Sequence, residues 1–434
     1  MDKIIKKALF IALCYIFYFC SGSFAADLPS LPPLNKEDRI LILAPHPDDE
    51  GIACSGLIQE ALKNKAQVEI VYLTNGDNNE VAFIIYEKRL VFRKSEFIRM
   101  GELRRKEAIE AMGFLGLNTD KFFFLGYPDF GTFTMFTRFW KSPVPFKSML
   151  TRVTKVPYKE NLSYGSSYLP ENILADLEKL IEDYKPNKIF VSYPADRNRD
   201  HRALNLFLAV SLWDLEGKMP LPKVYNYLVH HFGWPSPLKY HPEDSLYPPD
   251  DMKDLSGWAS LELSQDEVDK KYQAILNYKS QTESSAFYLL AFARRNELFQ
   301  ETSTLNLASG DTVSLDGYAR YMLKDNQVNI ILKHLDGDKD ISRVGIYLFG
   351  WRSDVAFADM PKIFLSLRAG DVSAYNGKNP IKIEGVSQVI ENGQMIIKVP
   401  LLLLNSPQKA LVSVRIFSKD VPYVQSIWNQ LKFK

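Results

Sequence analysis

The sequence predicts an α/β protein whose mostly parallel sheet carries helices on both faces, followed by a C-terminal all-β, sandwich-like domain. Three observations carry this expectation. Short continuous apolar runs such as Arg39–Ala44 (RILILA) and Val68–Thr74 (VEIVYLT) have the length and β-branched content of strands buried on both faces. Stretches with helical spacing alternate with those runs, as parallel strands require. After about residue 300 the helical spacing stops and short β-rich runs with polar or Gly-containing breaks follow one another.

Taken in order, Arg39–Ala44 is the first strand and ends in Pro and His, and helical spacing covers Gly56–Asn64. Val68–Thr74 is the second strand, broken by Asn75-Gly76-Asp77. A long helix is predicted over Ser95–Leu115, a strand over Phe122–Leu125, a helix over Pro170–Tyr184, and further strands over Lys188–Tyr193 and Val224–Val229. This is a Rossmann-like arrangement, in which the ligand crevice lies beyond the carboxyl ends of the strands. The β-rich runs of the second half are Tyr318–Leu323, Val328–Leu335, Val344–Phe349, Lys362–Arg368, Met395–Leu402 and Ala410–Phe417. They hold no cluster of His, Cys or acids at ligand spacing, so this half reads as a binding or packing module. The boundaries expected are 1–25, 26–38, 39–300 and 310–434, in keeping with 434 residues at ~100–200 per domain.

Composition excludes several classes. With 46% hydrophobic and 24% charged residues the chain is neither collagen-like nor wholly disordered. Its 53 Lys and Arg balance 52 Asp and Glu, so no global field draws it to nucleic acid.

The first 25 residues read as an export signal. Lys3, Lys6 and Lys7 precede an apolar run from Ala8 to Cys20, and Ser23-Phe24-Ala25 suits signal peptidase cleavage after Ala25. The run is shorter than the ~18–20 residues that span a bilayer. An uncleaved anchor is the alternative; a lipoprotein cut at Cys20 is disfavoured by the bulky Phe17-Tyr18-Phe19. Cleavage leaves an exported protein, periplasmic or secreted, with no transmembrane span. Residues 26–38 are a Pro-rich linker. Of three cysteines only Cys54 remains, so no internal disulfide is available and stability rests on packed cores or bound metal. Cys54 is either a small core residue or, given the acidic motif just before it, a ligand.

The chemistry is concentrated where strands end. Ala44-Pro45-His46-Pro47-Asp48-Asp49-Glu50 follows the first strand and places four ionisable groups in five positions, which is costly unless they are paired. An imidazole with carboxylates at one point is what a catalytic divalent metal requires. Adjacent Asp48 and Asp49 point different ways, so one can bind metal while the other faces the reacting water. A helix N-terminus would account for the acids through its dipole, but not for His46. The second half is Tyr193-Pro194-Ala195-Asp196-Arg197-Asn198-Arg199-Asp200-His201, after the strand at 188–193 and before a helix beginning at Ala203-Leu204. Either histidine alone is an ordinary surface residue. Two of the chain's six, each directly after a core strand in an acidic loop, point to one shared metal site.

PHPDDE after the first strand, with a later Asp-His before a helix, resembles the LmbE/PIG-L family of zinc-dependent N-deacetylases. Arg104-Arg105-Lys106-Glu107-Ala108 resembles that family's R-x-x-E-A helix, Gly126-Tyr127-Pro128-Asp129-Phe130-Gly131 its substrate-side Asp loop, and Tyr278-Lys279-Ser280-Gln281 its late Y-x-S-Q signature. The resemblance covers about residues 38–295 and makes 39–300 a deacetylase-like domain. It implies Zn2+ held by His46, Asp49 and His201, with Asp48 as the general base. It further implies that Asp200 orients His201 from behind, and that Arg104 and Asp129 contact sugar hydroxyls. An ordinary helix-surface Arg and a turn Asp are the alternatives for the last two. Many members carry H-P-D-H; here Asn198 stands at the first of those histidines, where it can donate a hydrogen bond but not shuttle a proton. Arg197, Arg199 or His230 are the candidates to stabilise the oxyanion instead. Asn198 and His230 are placed on the substrate side, though His230 is equally readable as a solvated loop residue.

Between Arg138 and Lys159 six basic residues (Arg138, Lys141, Lys147, Arg152, Lys155, Lys159) alternate with Phe139, Trp140, Phe146 and Tyr158, with no acid. The segment is either a solvated insertion or a lid offering rings and cations to an anionic glycan. Lys88, Arg89, Arg93, Lys94 and Arg99 add positive charge nearby. The leading expectation is an exported zinc hydrolase that removes the N-acetyl group from an N-acetylglucosamine-type amino sugar in a glycan or glycoconjugate, in contact with envelope glycans. A glycan-binding protein on a degenerate deacetylase fold, or a different metal-dependent amidase or esterase, are the alternatives.

Overall fold

The computed structural model describes residues 28–79, 84–85, 93–313, 319–332, 341–368, 371–391, 394–419, 421–425 and 427–434. The expected export signal, the start of the linker, and Lys88 and Arg89 lie outside them. No helix among the described residues is long and apolar enough to cross a membrane.

The first half is a seven-stranded sheet in the order β3-β2-β1-β4-β5-β7-β6. Its parallel part comprises β1 (Arg39–Ala44), β2 (Gln67–Thr74), β3 (Phe122–Tyr127), β4 (Lys188–Ser192) and β5 (Lys223–Tyr227). Two antiparallel strands, β6 (Trp258–Glu262) and β7 (Asn296–Glu301), complete one edge. The chain runs outward from β1 to β2 and β3, then crosses back to β4 on the other side. Strand order therefore reverses between β1 and β4, which is where such sheets open a crevice.

Alternation along each strand feeds two cores. Ile40, Ile42 and Phe190 face one side, against α1 (Asp49–Lys63), α2 (Lys94–Leu115), α6 (Gln265–Leu276) and α7 (Lys279–Leu289). Leu41, Leu43, Ile189 and Val191 face the other, against α3 (Thr132–Arg138), α4 (Pro170–Tyr184) and α5 (Arg199–Asp214). Helices thus cover both faces, as the continuous apolar runs require. Cys54 is buried on α1 within the first core. β6, β7, α6 and α7 were not predicted: both strands mix polar with apolar residues, and α6 buries only Val268, Lys271, Ala274 and Ile275.

Two helices begin earlier than predicted, for one reason. α1 starts at Asp49 rather than Gly56, and α5 at Arg199 rather than Ala203. Both first turns are built from charged residues, which apolar periodicity does not register. On α5 the Asn198 side chain accepts the Asp200 N–H at 2.9 Å, an N-cap that ends the loop sooner than expected.

The second half folds as two facing sheets. β9 (Thr312–Val313), β10 (Ala319–Lys324), β11 (Gln327–Leu332), β16 (Ser387–Glu391) and β17 (Gln394–Pro400) make one. The other runs β15-β14-β13-β12-β18-β20-β8, where β8 is Leu305–Leu307, β12 Ile341–Trp351, β13 Lys362–Arg368, β14 Asp371–Asn376, β15 Asn379–Ile381, β18 Lys409–Ser418 and β20 Asn429–Phe433; β19 (Val421–Gln425) pairs with β18. Ile330, Ile397 and Val399 from one sheet meet Ile346, Leu365 and Val414 from the other, giving a sandwich core.

The halves also share apolar packing. Phe349, Trp351, Phe357, Leu411 and Trp428 belong to the same buried cluster as Phe133, Phe136 and Phe207 of α3 and α5. Trp351 Nε1 donates to Asp214 at 2.6 Å, and Lys409 pairs with Glu216. Lys362 sits at this junction, its Nζ 3.9 Å over the Phe357 ring and donating to Met360 O at 2.7 Å. Burial lowers its pKa from 10.5 to about 7, with Glu171 and Asp359 opposing the shift. The unfolded chain therefore holds this proton up to about 10.5 while the folded protein releases it from about 7, so unfolding takes up a proton between those values. Stability should rise with pH across that window, by up to ~1 kcal/mol per pH unit from this one group. Lys362→Met should flatten the rise, as read from denaturant unfolding at about pH 7 and two to three pH units higher; an unchanged slope in the variant would assign it to other groups.

Candidate active site

All five parallel strands contribute to one crevice from their carboxyl ends. His46, Asp48 and Asp49 follow β1, Asp77 follows β2, Asp129 follows β3, Asp196, Asp200 and His201 follow β4, and His230 follows β5. The two histidines that the sequence places after separate strands are brought together, with ring centroids 5.2 Å apart.

Asp49 lies between them. Its Oδ2 is 3.1 Å from His46 Nδ1 and 3.2 Å from His201 Nε2, and it accepts the His46 N–H at 2.9 Å. One ligand atom from each of these three buried residues fits within a 4.8 Å group, the spacing of a metal-binding set. The remaining nitrogens are also backed by carboxylates. His46 Nε2 is 3.2 Å from Asp129 and 3.5 Å from Asp200, and His201 Nδ1 is 3.2 Å from Asp196. Backbone amides hold those carboxylates in turn. Asn78 N–H donates to Asp129 at 2.9 Å, Phe130 and Thr132 donate to Asp200 at 2.5 and 3.1 Å, and Val229 and His230 donate to Asp196 at 3.1 and 2.9 Å.

This arrangement corrects three expectations. Asp200 does not orient His201; it faces His46, and Asp196 takes the position behind His201. The helical first turn is the cause, because consecutive residues on a helix point about 100° apart and Asp200 cannot reach the far nitrogen of its own neighbour. Asp129, 4% exposed, is directed onto His46 rather than outward to sugar hydroxyls. Arg104, also 4% exposed, is neither a helix-surface residue nor open to substrate: it donates to Pro47 O at 2.8 Å, Gly76 O at 2.9 Å and Asp48 Oδ2 at 3.1 Å. Asp196 lay within the quoted loop, but only the fold shows which acid of that loop lies behind the ring.

Asp48 stands apart from the metal-type set. As N-cap of α1 it has φ 131°, a left-handed conformation that a non-glycine residue adopts only under constraint. Burial raises its pKa to about 7, Arg104 opposing and Asp49 reinforcing the rise. The histidines shift the other way from what burial alone would give. Burial disfavours their charged forms, yet Asp129 for His46, and Asp196 with Asp49 for His201, hold the first well above the usual histidine range and the second at about 9. His230, with its ring 4.8 Å from that of His201, is instead pushed down to about 4 by burial. Half-buried Asn198 uses its side-chain oxygen for the α5 cap.

The other quoted motifs are the pins of this crevice. Tyr278 donates to Glu50 Oε1 at 2.6 Å and Tyr72 to the same atom at 2.8 Å, so Glu50 is a buried, fully engaged carboxyl whose pKa burial raises to about 7. Ser280 donates through N–H and Oγ to Glu107 at 2.8 and 2.6 Å, and Gln281 accepts from Asn79 at 2.8 Å. In the basic segment the rings turn inward: Tyr158 donates to Asp77 at 2.5 Å, and Phe139, Trp140 and Phe146 pack on the second core. Tyr158 is fully buried, and the other three rings are half-buried.

Glycine makes one of these pins possible. A Cβ on Gly51 would meet the buried Tyr278 ring at 2.6 Å. Gly51→Ala should therefore displace Tyr278 from Glu50 and cost about 1–3 kcal/mol, as overpacking does. Chemical denaturation decides this; a variant as stable as the parent would show the ring has room to yield.

Residues 41–211 match the family described as PIG-L: GlcNAc-PI de-N-acetylase. A glucosamine-6-phosphate deaminase-like protein of Bacteroides thetaiotaomicron is 23% identical over 294 residues, taking in 57% of this chain and 36% of that protein. The match thus spans little more than a third of that relative. Among solved structures, the N,N'-diacetylchitobiose deacetylase of Pyrococcus horikoshii has 17% identity and a TM-score of 0.39, covering 62% of this chain and 85% of its own. A conserved protein of Thermus thermophilus has 19% identity and a TM-score of 0.36, covering 58% and 84%. The 4-carboxy-2-hydroxymuconate hydratase of Pseudomonas putida has 15% identity and a TM-score of 0.37, covering 58% and 82%. With PHPDDE, the Asp-His pair and the R-x-x-E-A and Y-x-S-Q motifs all meeting in one crevice, residues 41–211 are a domain of the PIG-L, LmbE-like family.

Proposed function

We propose that the protein is a metal-dependent hydrolase that removes the N-acetyl group from an N-acetylglucosamine-type amino sugar, with His46, Asp49 and His201 holding the ion. The observation that carries this reading is the division of labour between two adjacent carboxylates: Asp49 is shared by two imidazoles, while Asp48 is turned away and held by Arg104. The match of residues 41–211 to a family described by GlcNAc-PI de-N-acetylation agrees with it.

The donor set fits a divalent cation. The His201 ring is fully buried, with Nε2 at 3.2 Å from Asp49, and the nitrogens nearest Asp49 converge on one point. Two imidazoles and one carboxylate suit zinc better than magnesium or calcium, which prefer oxygen ligands. Bound there, the cation supplies Lewis acidity that makes hydroxide available near pH ~7 and polarises an acyl oxygen.

The side chains do the rest. Asp129 and Asp200 fix His46, and Asp196 fixes His201, so each ring presents one nitrogen to Asp49. Asp48 accepts a proton from the attacking water as its oxygen bonds to the acetyl carbon. When the C–N bond breaks, Asp48 returns that proton to the departing amine, and acetate and the free amino sugar result. A carboxyl held near neutrality by burial can do both. Arg104 keeps Asp48 in its strained position. His230 lies beside His201 on the β5 side, where it can donate to the developing oxyanion. The basic N-terminus with its short apolar run supports action outside the cytoplasm, on a glycan or glycoconjugate.

Asp48→Asn should keep its metal and lose ~10²–10⁴ in turnover, because the amide cannot accept a proton. Asp49→Ala should lose metal and turnover together. Bound zinc and acetate release from a panel of N-acetylglucosaminides measure both. Activity of Asp48→Asn within a few-fold of the parent would place the base elsewhere. N-terminal sequencing of the mature protein should begin at Ala26; a start at Met1 would refute cleavage of the signal.

A further inference from the structure

The sheet built on β12, β13 and β14 turns one face to the sandwich core and the other to a cleft of about 640 Å³ beside α3. Strand register sets what that outer face carries. Tyr347, Phe364 and Tyr375 are direct cross-strand neighbours, with ring centroids 4.6 and 6.3 Å apart. The next outward row is Gly345, Ser366 and Ser373, with Arg415 of β18 opposite Gly345. Arg343 lies beyond it on β12, beside the Arg368 and Asp371 partners of β13 and β14. The alternate residues Ile346, Leu365 and Ala374 are buried in the core. Gly345, Ser366 and Ser373, with almost no side-chain bulk, make a trough between the row of rings and the Arg343, Arg368 and Asp371 side chains.

Two of the cations on this face, Arg343 and Arg415, are not paired with a carboxylate among the described residues. Arg343 lies 3.8 Å over the Phe417 ring, with its Nε buried and lacking a hydrogen-bond partner. Burial lowers the pKa of Arg415; Arg199 and Arg343 add to that shift, and Tyr347 opposes it. Among the described residues none of Arg199, Arg343 and Arg415 is in an ion pair. Guanidinium groups that are not paired with a carboxylate are stabilised by an anion.

We propose that this trough binds an acidic sugar chain, with sugar faces on the Tyr347, Phe364 and Tyr375 rings and acid groups on Arg343 and Arg415. Rings in a row accept the apolar faces of successive sugars, and the serine hydroxyls of the middle row meet their hydroxyls. Asp371 at the trough's edge accepts sugar hydroxyls. The trough lies next to the crevice. Phe133, in the first turn of α3, contacts Tyr347 at 6.3 Å, and Thr132 beside it donates to Asp200 at 3.1 Å. Arg199, next to Asp200, carries the positive charge from the trough to the crevice. The proposal concerns binding outside the crevice and stands whether or not the hydrolase reading does.

Titration calorimetry on the full chain tests it, with an oligogalacturonate hexamer (carboxylate only), a heparin hexasaccharide (sulfate and carboxylate), neutral chitohexaose and an oligothymidylate of equal charge. Acidic hexasaccharide should bind, more weakly as salt rises. The Arg343→Gln/Arg415→Gln double variant should weaken binding about tenfold or more, and Tyr375→Ala several-fold, since these side chains lie on the face away from the sandwich core. Asp49→Ala should bind as the parent does, which separates this result from that of the hydrolase test. A preference between the two acidic probes identifies the acid group, and either preference supports the proposal. Equal binding of chitohexaose, affinity unchanged in both variants, or tighter binding of the oligothymidylate would each overturn it.

Discussion

A single buried carboxylate sets the terms for the rest of the crevice. Asp49 lies 3.1 Å from one imidazole and 3.2 Å from another, and its own position is fixed by the His46 N–H. Burying such a group costs several kcal/mol unless it is fully partnered, and each partner that is brought in must be partnered in turn. The requirement spreads outward: Asp129, Asp200 and Asp196 back the rings, and amides from the loops after β2, β3 and β5 satisfy those acids. Five strand ends are thereby tied to one point. The sheet supplies the geometry, and the chain of hydrogen bonds makes it obligatory.

The same concentration of acids explains why this point should hold a cation. Asp48, Asp49, Asp129, Asp196 and Asp200 surround two imidazoles and one guanidinium. Burial lowers the pKa of both histidines, yet Asp129 for His46, and Asp196 with Asp49 for His201, pull it above the ordinary range. A divalent ion bound there would be met by the same carboxylates, and its binding would be linked to proton release. Asp48 is excluded from this exchange by its backbone. Its positive φ turns the side chain to Arg104, and the Glu50 carboxylate fixes its N–H at 3.0 Å. The strain is borne by contacts that Gly51, Tyr278 and Tyr72 complete.

The strands β1 and β13 and the helix α4 begin and end where apolar periodicity predicts, because each is bounded by a sharp change from apolar to charged or turn residues. The first turns of α1 and α5 are missed because their residues are there for chemistry and not for packing. That His46 and His201 share one site was legible from position, as histidines directly after core strands; which of Asp48 and Asp49 joins them came only from the family resemblance. The partners behind the rings were not legible. Which of Asp196 and Asp200 serves His201 depends on a helical turn of about 100° per residue, and Asp129 and Arg104 were read as substrate contacts because a motif does not reveal whether a side chain points inward.

Strand β12 joins the two halves in a way that composition could not show. Its upper residues, Phe349 and Trp351, lie in the apolar cluster of α3 and α5, while Tyr347, Gly345 and Arg343 continue the same face into the cleft. Alternation puts all five on one side of the sheet, and the opposite side is the sandwich core. One strand therefore serves as wall to the α/β half and floor to the cleft. A rotation of the sandwich would have to break the Phe349 and Trp428 contacts with Phe136 and Phe133 before it moved the cleft. The cleft is thus held at a constant distance from Asp200 by packing and not by a linker. A polymer lying across those strands would meet the crevice in one orientation, set by the residues that make the two halves a single apolar body.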